Sequence, residues 1–371
     1  MNSKLLPPKP VWLAFVLHTG IVFAAAALAD FFPRHEPAGF VNSFLAVGSP
    51  FIDKWIRWDA HWYTYVAQFG YNSQSIVFFP VIVLLIKILA WSGLSTAAAG
   101  FLLCNLFAGF SFWLLYAVFR LDFSAEQSRR ALLAYGLFPT SFCLNSIYTE
   151  PLFLVFSLAC AYCSRTGRWY QAGFFAMFAA LTRNLGICLV GLIFLEGWKA
   201  RPRRQSFLAA LLLPFLALSC FSLYNWQLTG DPLAFVHAQQ SWGRYFSYPW
   251  ISYWRNISLL GADFFAQEPG ILLDALLVLF TFGGLMRLTL AKKIQIRQSY
   301  LLIAWLWFLL PLCSSSEGFP LYSMSRFVFV LFPLYLAWVP VPTAYYTAGM
   351  LISALLLFVC TLLFVNWYWI G

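Results

Sequence analysis

Charged residues are scarce in this 371-residue sequence, where they make up only 10% of the chain. A soluble domain usually carries about 25% charged residues, whereas 62% of this chain is hydrophobic. A single water-soluble core cannot bury so much apolar surface, so much of the chain must face lipid. The composition therefore excludes an ordinary soluble protein and predicts an all-α polytopic membrane protein.

The sequence also lacks the motifs that bind nucleotides and metals. It contains no Walker motif and no GxGxxG, and its four histidines show no zinc-ligand spacing. All eight cysteines lie in apolar stretches, where packing explains them better than redox chemistry, including Cys160 and Cys163 of a CxxC. We therefore expect no cofactor and no metal-ligating residues, and a divalent-cation requirement stays open although nothing indicates one. An enzyme at the outer face without a nucleotide-binding domain would take a lipid-phosphate sugar as its donor.

The net charge of +10 does not indicate a nucleic-acid partner. The basic residues lie in short runs between apolar segments, which is the pattern that sets membrane topology. Eleven apolar segments are candidate transmembrane helices, because a span takes about 20 apolar residues. They cover residues 11–29, 97–119, 131–148, 150–164, 170–182, 185–197, 206–228, 270–290, 300–313, 327–340 and 343–366. The N-terminal run is interpreted as a retained first helix, and residues 1–371 as one integral membrane domain.

Segment 76–93 is also apolar and decides the topology. If it crossed the bilayer, the basic loop around residues 120–130 would lie outside, against the positive-inside rule. We therefore predict that it lies in the interface or re-enters. Residues 30–96 then form a large first extracytoplasmic loop with juxtamembrane helices, and residues 229–269 a second outer loop. The short loops favour a bacterial cytoplasmic membrane with an outward-facing site, and the eukaryotic alternative is the ER membrane with a luminal site.

The first candidate site is the run from Arg57 to Tyr63 in the first outer loop. An Asp59 carboxylate at the membrane surface, beside aromatic side chains, is suited to act as general base on a sugar hydroxyl. Trp58, His61 and Tyr63 would contact acceptor or sugar, and Arg57 would help to bind the donor. The alternative is an interfacial anchor in which Asp59 merely pairs with Arg57.

The second candidate site is Tyr148-Thr149-Glu150-Pro151, at the junction of two apolar segments. Glu150 would hold the acceptor or assist the base, and Tyr148 would contact the sugar. The alternative is helix capping, because a carboxylate in the first turn of a helix interacts favourably with the macrodipole. These two interpretations stay open.

Two arginines complete the candidate site. Arg183, followed by Asn184, interrupts the apolar stretch 170–197, where a charge is by default functional. Arginine beside a helix N-terminus binds phosphate well, although Arg183 could instead pair structurally with Glu150. Arg326, within Ser323-Met324-Ser325-Arg326-Phe327, is predicted at the same membrane level. It would neutralise a lipid phosphate or merely snorkel to the surface.

At these residues the chain resembles the bacterial relatives of the PIG-V family, which contains the second GPI mannosyltransferase and belongs to the GT-C superfamily. The resemblance follows the chain in order through Arg57-Trp58-Asp59-Ala60, Gly70-Tyr71, Phe78-Phe79-Pro80, Phe138-Pro139-Thr140, Tyr148-Thr149-Glu150-Pro151, Leu181-Thr182-Arg183 and Ser325-Arg326-Phe327. It implies a GT-C fold with a large first outer loop. It also implies an inverting glycosyltransferase that uses a polyprenyl-phosphate sugar, typically mannose, with the base at the position of Asp59.

The resulting hypothesis is a membrane glycosyltransferase whose partners are a polyprenyl-phosphate sugar, a glycan or glycolipid acceptor and membrane lipids. The rival hypothesis is a transporter or flippase for a lipid-linked or small polar substrate. Transporters usually place charged pairs near the bilayer midplane between repeated halves. Here no repeat is evident, and the candidate charges gather at one predicted surface. A third alternative is a non-catalytic subunit. The sequence leaves the sugar, the acceptor and the oligomeric state open.

Overall fold

The computed structural model describes residues 7–35, 49–261, 268–290 and 295–371. It is a helical bundle, whose helices are α1 Lys9–Leu28, α2 Pro50–Asp53, α3 Asp59–Phe69, α4 Pro80–Ala90, α5 Thr96–Phe119, α6 Ala125–Gly136, α7 Glu150–Arg165, α8 Trp169–Ala180, α9 Leu189–Ala200, α10 Arg204–Thr229, α11 Ala234–Ser241, α12 Pro249–Ser258, α13 Gly270–Leu290, α14 Gln298–Leu312, α15 Met324–Phe329 and α16 Thr343–Val365. Two short strands, β1 Tyr245–Phe246 and β2 Ser314–Ser315, pair antiparallel. The all-α prediction is confirmed.

Five helices in the described ranges are long and apolar enough to cross a membrane: Lys9–Phe31, Thr96–Phe119, Arg204–Thr229, Gly270–Leu290 and Thr343–Val365. Each coincides with one of the predicted spans, so the prediction of a polytopic membrane protein is confirmed. The other predicted spans contain shorter helices, and their crossing of the bilayer stays a prediction.

Helix α4 corresponds to the segment that decides the topology. Its 11 residues extend about 16 Å at 1.5 Å per residue, roughly half of the 30 Å hydrocarbon core. This length favours a segment that does not cross the bilayer. The backbone N–H of Val81 donates to the carbonyl of Leu181, 3.2 Å away. That bond fixes the start of α4 beside the turn that carries Arg183.

Helix α7 separates two groups of charged side chains by about 24 Å, because 16 residues rise 1.5 Å each. At its C-terminal end, Arg165 pairs with Asp122 at 2.5 Å and with Glu196 at 3.7 Å, and Arg297 pairs with Glu196 at 3.2 Å. These residues lie in or beside four basic segments, 120–130, 165–168, 199–204 and 287–297, which the positive-inside rule predicts to share the cytoplasmic side. Glu150 lies at the opposite end of the same helix. The end with Glu150 is therefore the predicted outer end.

Two of the predicted spans are wrong as continuous helices. In segment 131–148, α6 ends at Gly136, three residues before Pro139, which lacks an N–H donor. The freed carbonyl of Gly136 accepts hydrogen bonds from His18 at 2.7 Å and Ser141 at 2.9 Å. Segment 327–340 is likewise split into the end of α15 and a 3₁₀ turn over Phe332–Trp338. Polar side chains of neighbouring segments make such breaks tolerable inside a bundle.

Candidate functional site

Four of the predicted charged side chains converge at the N-terminal end of α7. Glu150 Oε1 accepts a hydrogen bond from Arg326 Nε at 2.7 Å and forms an ion pair with Arg183 Nη1 at 2.8 Å. Arg326 Nη1 in turn donates to Asp59 Oδ2 at 2.7 Å. Asp59 and Arg326 are 267 positions apart in the chain. The fold thus joins side chains from α3, α7, the turn after α8, and α15 into one ionic cluster.

The cluster is graded in its exposure. The Glu150 side chain is fully buried, and those of Arg326, Arg183 and Asp59 are 4%, 9% and 22% exposed. Buried charges are tolerated only when they are paired and hydrogen-bonded, and here two carboxylates face two guanidiniums. The most exposed member, Asp59, is the one that a substrate can reach first.

Aromatic rings enclose both guanidiniums. The Cζ atom of Arg326 lies 3.9 Å from the ring centroid of Tyr148, and that of Arg183 lies 4.6 Å from the ring of Phe327. Cation–π contacts of this kind favour a desolvated arginine in a fixed orientation. The ring of Tyr148 therefore packs against the guanidinium of Arg326, and Tyr148 does not line the cavity described below.

The helices that carry Asp59 and Arg326 both start after a residue with positive φ. Trp58, with φ of 50°, precedes Asp59, and Ser323, with φ of 58°, precedes α15. Such conformations cost on the order of 1–3 kcal/mol in non-glycine residues and cluster at functional sites. Trp58 is held by ring contacts with Trp369 at 4.9 Å and Trp367 at 5.8 Å. The packing of the Trp58 ring therefore holds the backbone before Asp59 and sets the direction of the Asp59 side chain.

A cavity of about 510 Å³ opens over the cluster. Five of the predicted site residues line it: Asp59, Tyr63, Arg183, Asn184 and Arg326. Another part of its wall is apolar and consists of Leu185, Ile187, Leu310, Pro311 and Phe327. Cavities that combine an apolar wall with a few convergent polar groups are the usual form of small-molecule sites.

Aromatic side chains form another part of the cavity wall. Phe78 and Trp242 line the cavity, and their ring centroids are 5.6 Å apart in an edge-to-face arrangement. Trp62 stacks on Phe78 at 5.7 Å. Trp242 comes from segment 229–269 and Phe78 from segment 30–96, so both of the segments predicted as outer loops contribute to the same wall.

Arg57 does not join the ionic cluster. Its Nε donates to the carbonyl of Val365 at 3.0 Å, its Nη1 donates to the carbonyl of Asp53 at 2.6 Å, and its guanidinium lies over the ring of Trp367. The alternative in which Asp59 pairs with Arg57 is therefore wrong, since Asp59 pairs with Arg326. The alternative in which Arg183 pairs with Glu150 is present in the structure at 2.8 Å, and Arg183 also lines the cavity, so its proposed role in donor binding stays a prediction.

His61 also lies away from the cavity lining, stacked on Trp367 with ring centroids 5.6 Å apart. Burial, together with repulsion from Arg57, lowers the pKa of His61 from 6.5 to about 4. The imidazole is therefore neutral at pH 7 in the folded protein. It supports the start of α3 by packing.

This pKa predicts a loss of stability in acid. The folded-state pKa lies below the unfolded-state value, so the unfolded chain binds more protons and stability falls as the pH falls from 6.5 to 4. The full shift corresponds to about 3 kcal/mol. We expect His61→Gln to lose less thermal stability than the parent protein across this window, measured by thermal unfolding in detergent. His237→Gln, at an exposed histidine, is the control, and equal acid sensitivity of the parent and His61→Gln would contradict the assignment.

Asp274 and Arg244, two ionisable residues at the site, were not predicted from the sequence. Asp274, on α13, accepts a hydrogen bond at 2.7 Å from the backbone N–H of Ser325, and so holds the turn that carries Arg326. It is the single acidic residue in an apolar helix, which was an available signal. Arg244, in the second outer loop, lines the cavity beside Tyr322. Among the described residues, no three His, Cys, Asp or Glu side chains are grouped to hold a metal ion.

No family model matches the chain, and no curated protein sequence does. Among solved structures, the fold is similar to that of ArnT from Cupriavidus metallidurans bound to undecaprenyl phosphate, with a TM-score of 0.54 and 14% identity. The match covers 93% of this chain and 63% of ArnT, so the chain spans less than two thirds of that protein. Two structures of the Archaeoglobus fulgidus oligosaccharyltransferase, one tethered to an acceptor peptide and one in the apo form, match with TM-scores of 0.42 and 0.43 and 12% identity. The two matches cover 95% and 96% of this chain, and 55% and 56% of the oligosaccharyltransferase chains. The similarity to ArnT shows the GT-C fold.

Proposed function

We propose that this chain is an inverting glycosyltransferase, related to the PIG-V family, that transfers a hexose from a polyprenyl-phosphate donor. The sugar is typically mannose in that family, and the acceptor is a glycan or glycolipid at the extracytoplasmic face of a bacterial membrane. The observation that carries the proposal is one cavity that combines an accessible carboxylate, two arginines and an apolar wall. The same fold in ArnT is found with undecaprenyl phosphate bound.

Asp59 is the base in this proposal. Its carboxylate takes the proton of the acceptor hydroxyl while the hydroxyl oxygen forms a bond to the anomeric carbon. The bond from that carbon to the phosphate oxygen breaks, and its electron pair leaves with the polyprenyl phosphate. A single displacement of this kind inverts the anomeric centre, and a positioned base typically contributes about 10²–10⁴-fold to the rate.

Arg183 and Arg326 stabilise the leaving phosphate, because negative charge builds up there in the transition state. Arg326 Nη1 is bonded to Asp59 before any substrate binds. A donor phosphate that contacts this nitrogen competes with Asp59 for it. Binding of the donor thus releases the carboxylate to meet the acceptor hydroxyl, which couples the order of binding to the activation of the base.

Glu150 has a positioning part in this proposal. Its side chain is fully buried and does not line the cavity, so it does not touch substrate. One of its oxygens contacts both guanidiniums. Because that oxygen is shared, Glu150 holds Arg183 and Arg326 at a fixed separation, as preorganised stabilisation of the transition state requires.

The apolar wall gives the prenyl chain a place to lie. Leu185 and Ile187 come from the 3₁₀ turn after Arg183, and Leu310 and Pro311 come from the end of α14. The phosphate would thus meet the arginines while the first isoprene units contact apolar side chains. Burial of each CH₂ is worth about 0.8 kcal/mol, which favours a lipid-linked donor over a free sugar phosphate.

The proposal predicts cleavage of the bond between the anomeric carbon of the sugar and the phosphate oxygen of the donor. Purified protein in nanodiscs, incubated with undecaprenyl-phosphate [¹⁴C]mannose and an alkyl mannoside, is expected to release undecaprenyl phosphate and form labelled product with inverted stereochemistry. The control is the Asp59→Asn variant under the same conditions. Movement of intact donor between the leaflets of proteoliposomes, without any cleavage, would contradict the proposal and support the flippase alternative.

A further inference from the structure

The cavity contains a third arginine that the proposed reaction does not use. Arg244 follows Gly243, a turn residue with φ of 70°, and its backbone N–H donates to the carbonyl of Gln239 at 3.1 Å. The next residue, Tyr245, begins β1 and pairs with Ser315 of β2. Arg244 is therefore held at the end of a small antiparallel ribbon, on the side of the cavity formed by the outer loops.

The formal charges of the side chains that line the cavity, taken together with that of the buried Glu150, do not sum to zero. Arg183 and Arg326 face the carboxylates of Asp59 and Glu150 at 2.7–2.8 Å, which leaves these four groups neutral as a set. Arg244 is a further positive charge, and no carboxylate lies within 4.0 Å of it in the part of the chain that the structure describes. The site as a whole therefore carries one excess positive charge, and it belongs to Arg244.

Apart from a hydrogen bond to the Tyr322 hydroxyl, the surroundings of Arg244 in the described part of the chain leave its donors available. Its Cζ atom lies 4.4 Å from the ring centroid of Tyr322, so an aromatic ring supports the guanidinium. The N–H donors of a guanidinium are spread around its planar edge and match the oxygens of a phosphate. Arg244 is also partly exposed, whereas the side chains of Arg183 and Arg326 are less than 10% exposed.

We propose that Arg244 captures the phosphodiester of the lipid-linked donor and sets its affinity, which deepens the proposed function and rests on it. An anion that binds Arg244 breaks no existing ion pair, whereas binding at Arg326 must displace Asp59. Phosphate therefore meets Arg244 first and the two buried arginines afterwards. Arg244 accordingly acts on donor binding, and Arg183 and Arg326 act on the leaving group.

The test is the binding of undecaprenyl-phosphate mannose, a phosphodiester of the proposed donor class, to the full chain in nanodiscs. Arg244→Gln is expected to raise the Kd roughly tenfold or more, because a charge-assisted contact is lost. Arg244→Lys is expected to recover part of the affinity, and salt is expected to weaken binding less in Arg244→Gln than in the parent protein. Arg255→Gln is the matched control, because this arginine lies in the same outer loop, bonds Tyr245 at 2.6 Å and does not line the cavity.

Two further binding measurements show which part of the lipid phosphate the protein recognises. Undecaprenol tests the lipid chain without the anion, and inorganic phosphate tests the anion without the chain; each is expected to bind more weakly than the complete lipid phosphate. In turnover, Arg244→Gln is expected to raise the KM for donor with kcat within a few-fold of the parent value. An unchanged Kd in Arg244→Gln, with or without a lower kcat, would overturn the assignment while leaving the proposed function intact. Failure of the parent protein to bind the lipid phosphate would instead overturn the proposed function, and this assignment with it.

Discussion

Asp59→Asn is expected to lower glycosyl transfer by about 10²–10⁴-fold, the contribution of a positioned base, while the protein still folds. The amide cannot accept the proton of the acceptor hydroxyl. Its oxygen can still accept the hydrogen bond that Arg326 Nη1 now donates to Asp59 at 2.7 Å. Arg326 also keeps its hydrogen bond from Nε to Glu150 Oε1 at 2.7 Å, so its buried guanidinium is not left without an acidic partner. The measurements are initial rates with saturating donor, and the thermal midpoint in the same detergent.

The substitution also separates binding from chemistry. Removal of the carboxylate frees Arg326 from one of its two acidic partners, so undecaprenyl phosphate should bind to Asp59→Asn at least as tightly as to the parent protein. Asp231→Asn is the matched control, because Asp231 lies in the second outer loop and pairs with the exposed His237. Transfer by Asp59→Asn within threefold of the parent rate would remove Asp59 from the role of base.

Much of the fold could be predicted because the positions of the long helices follow from the hydrophobicity of the sequence. Runs of apolar residues predicted the long helices, and the positive charges predicted which loops share a side. The ion pairs of Asp122, Arg165, Glu196 and Arg297 join four segments that the charge pattern assigned to the cytoplasm. The breaks at Gly136 and Phe329 were not predicted, because hydropathy does not register which polar side chains from other segments satisfy the backbone where a helix stops.

The members of the site were easier to predict than their partners. A charge in an apolar stretch is costly enough to be noticed without a structure, which is why Arg183 was a candidate. Pairing follows from tertiary contacts, and so the sequence neighbour Arg57 was taken as the alternative partner of Asp59. Trp58, which separates Arg57 from Asp59 in the chain, has a positive φ. Arg57 donates its hydrogen bonds to the carbonyls of Asp53 and Val365 instead of pairing with Asp59. Arg244 was missed because an arginine in an aromatic outer loop looks like any interfacial anchor.

Glu150 is the residue whose loss should destabilise the protein most. Its fully buried carboxylate is the direct counter-ion of Arg183 and shares Arg326 with Asp59. Glu150→Gln would leave two buried guanidiniums with Asp59 as their nearest acid. Breaking a buried ion pair by removing one partner typically costs about 3–5 kcal/mol, because an uncompensated charge stays behind. We therefore expect a large fall in the thermal midpoint and, in whatever protein folds, a loss of transfer.

A second substitution shows whether that cost comes from uncompensated charge. Glu126→Gln removes a carboxylate from an exposed pair with Arg129 and is expected to cost about 0–1 kcal/mol. Glu150→Gln combined with Arg183→Met removes one charge of each sign, so the double variant should be more stable than Glu150→Gln alone. With the Arg183→Met single variant added, these proteins complete a double-mutant cycle that measures the coupling of the pair. If the double variant is no more stable than the single one, Glu150 acts through packing, and the fixed separation of Arg183 and Arg326 must have another cause.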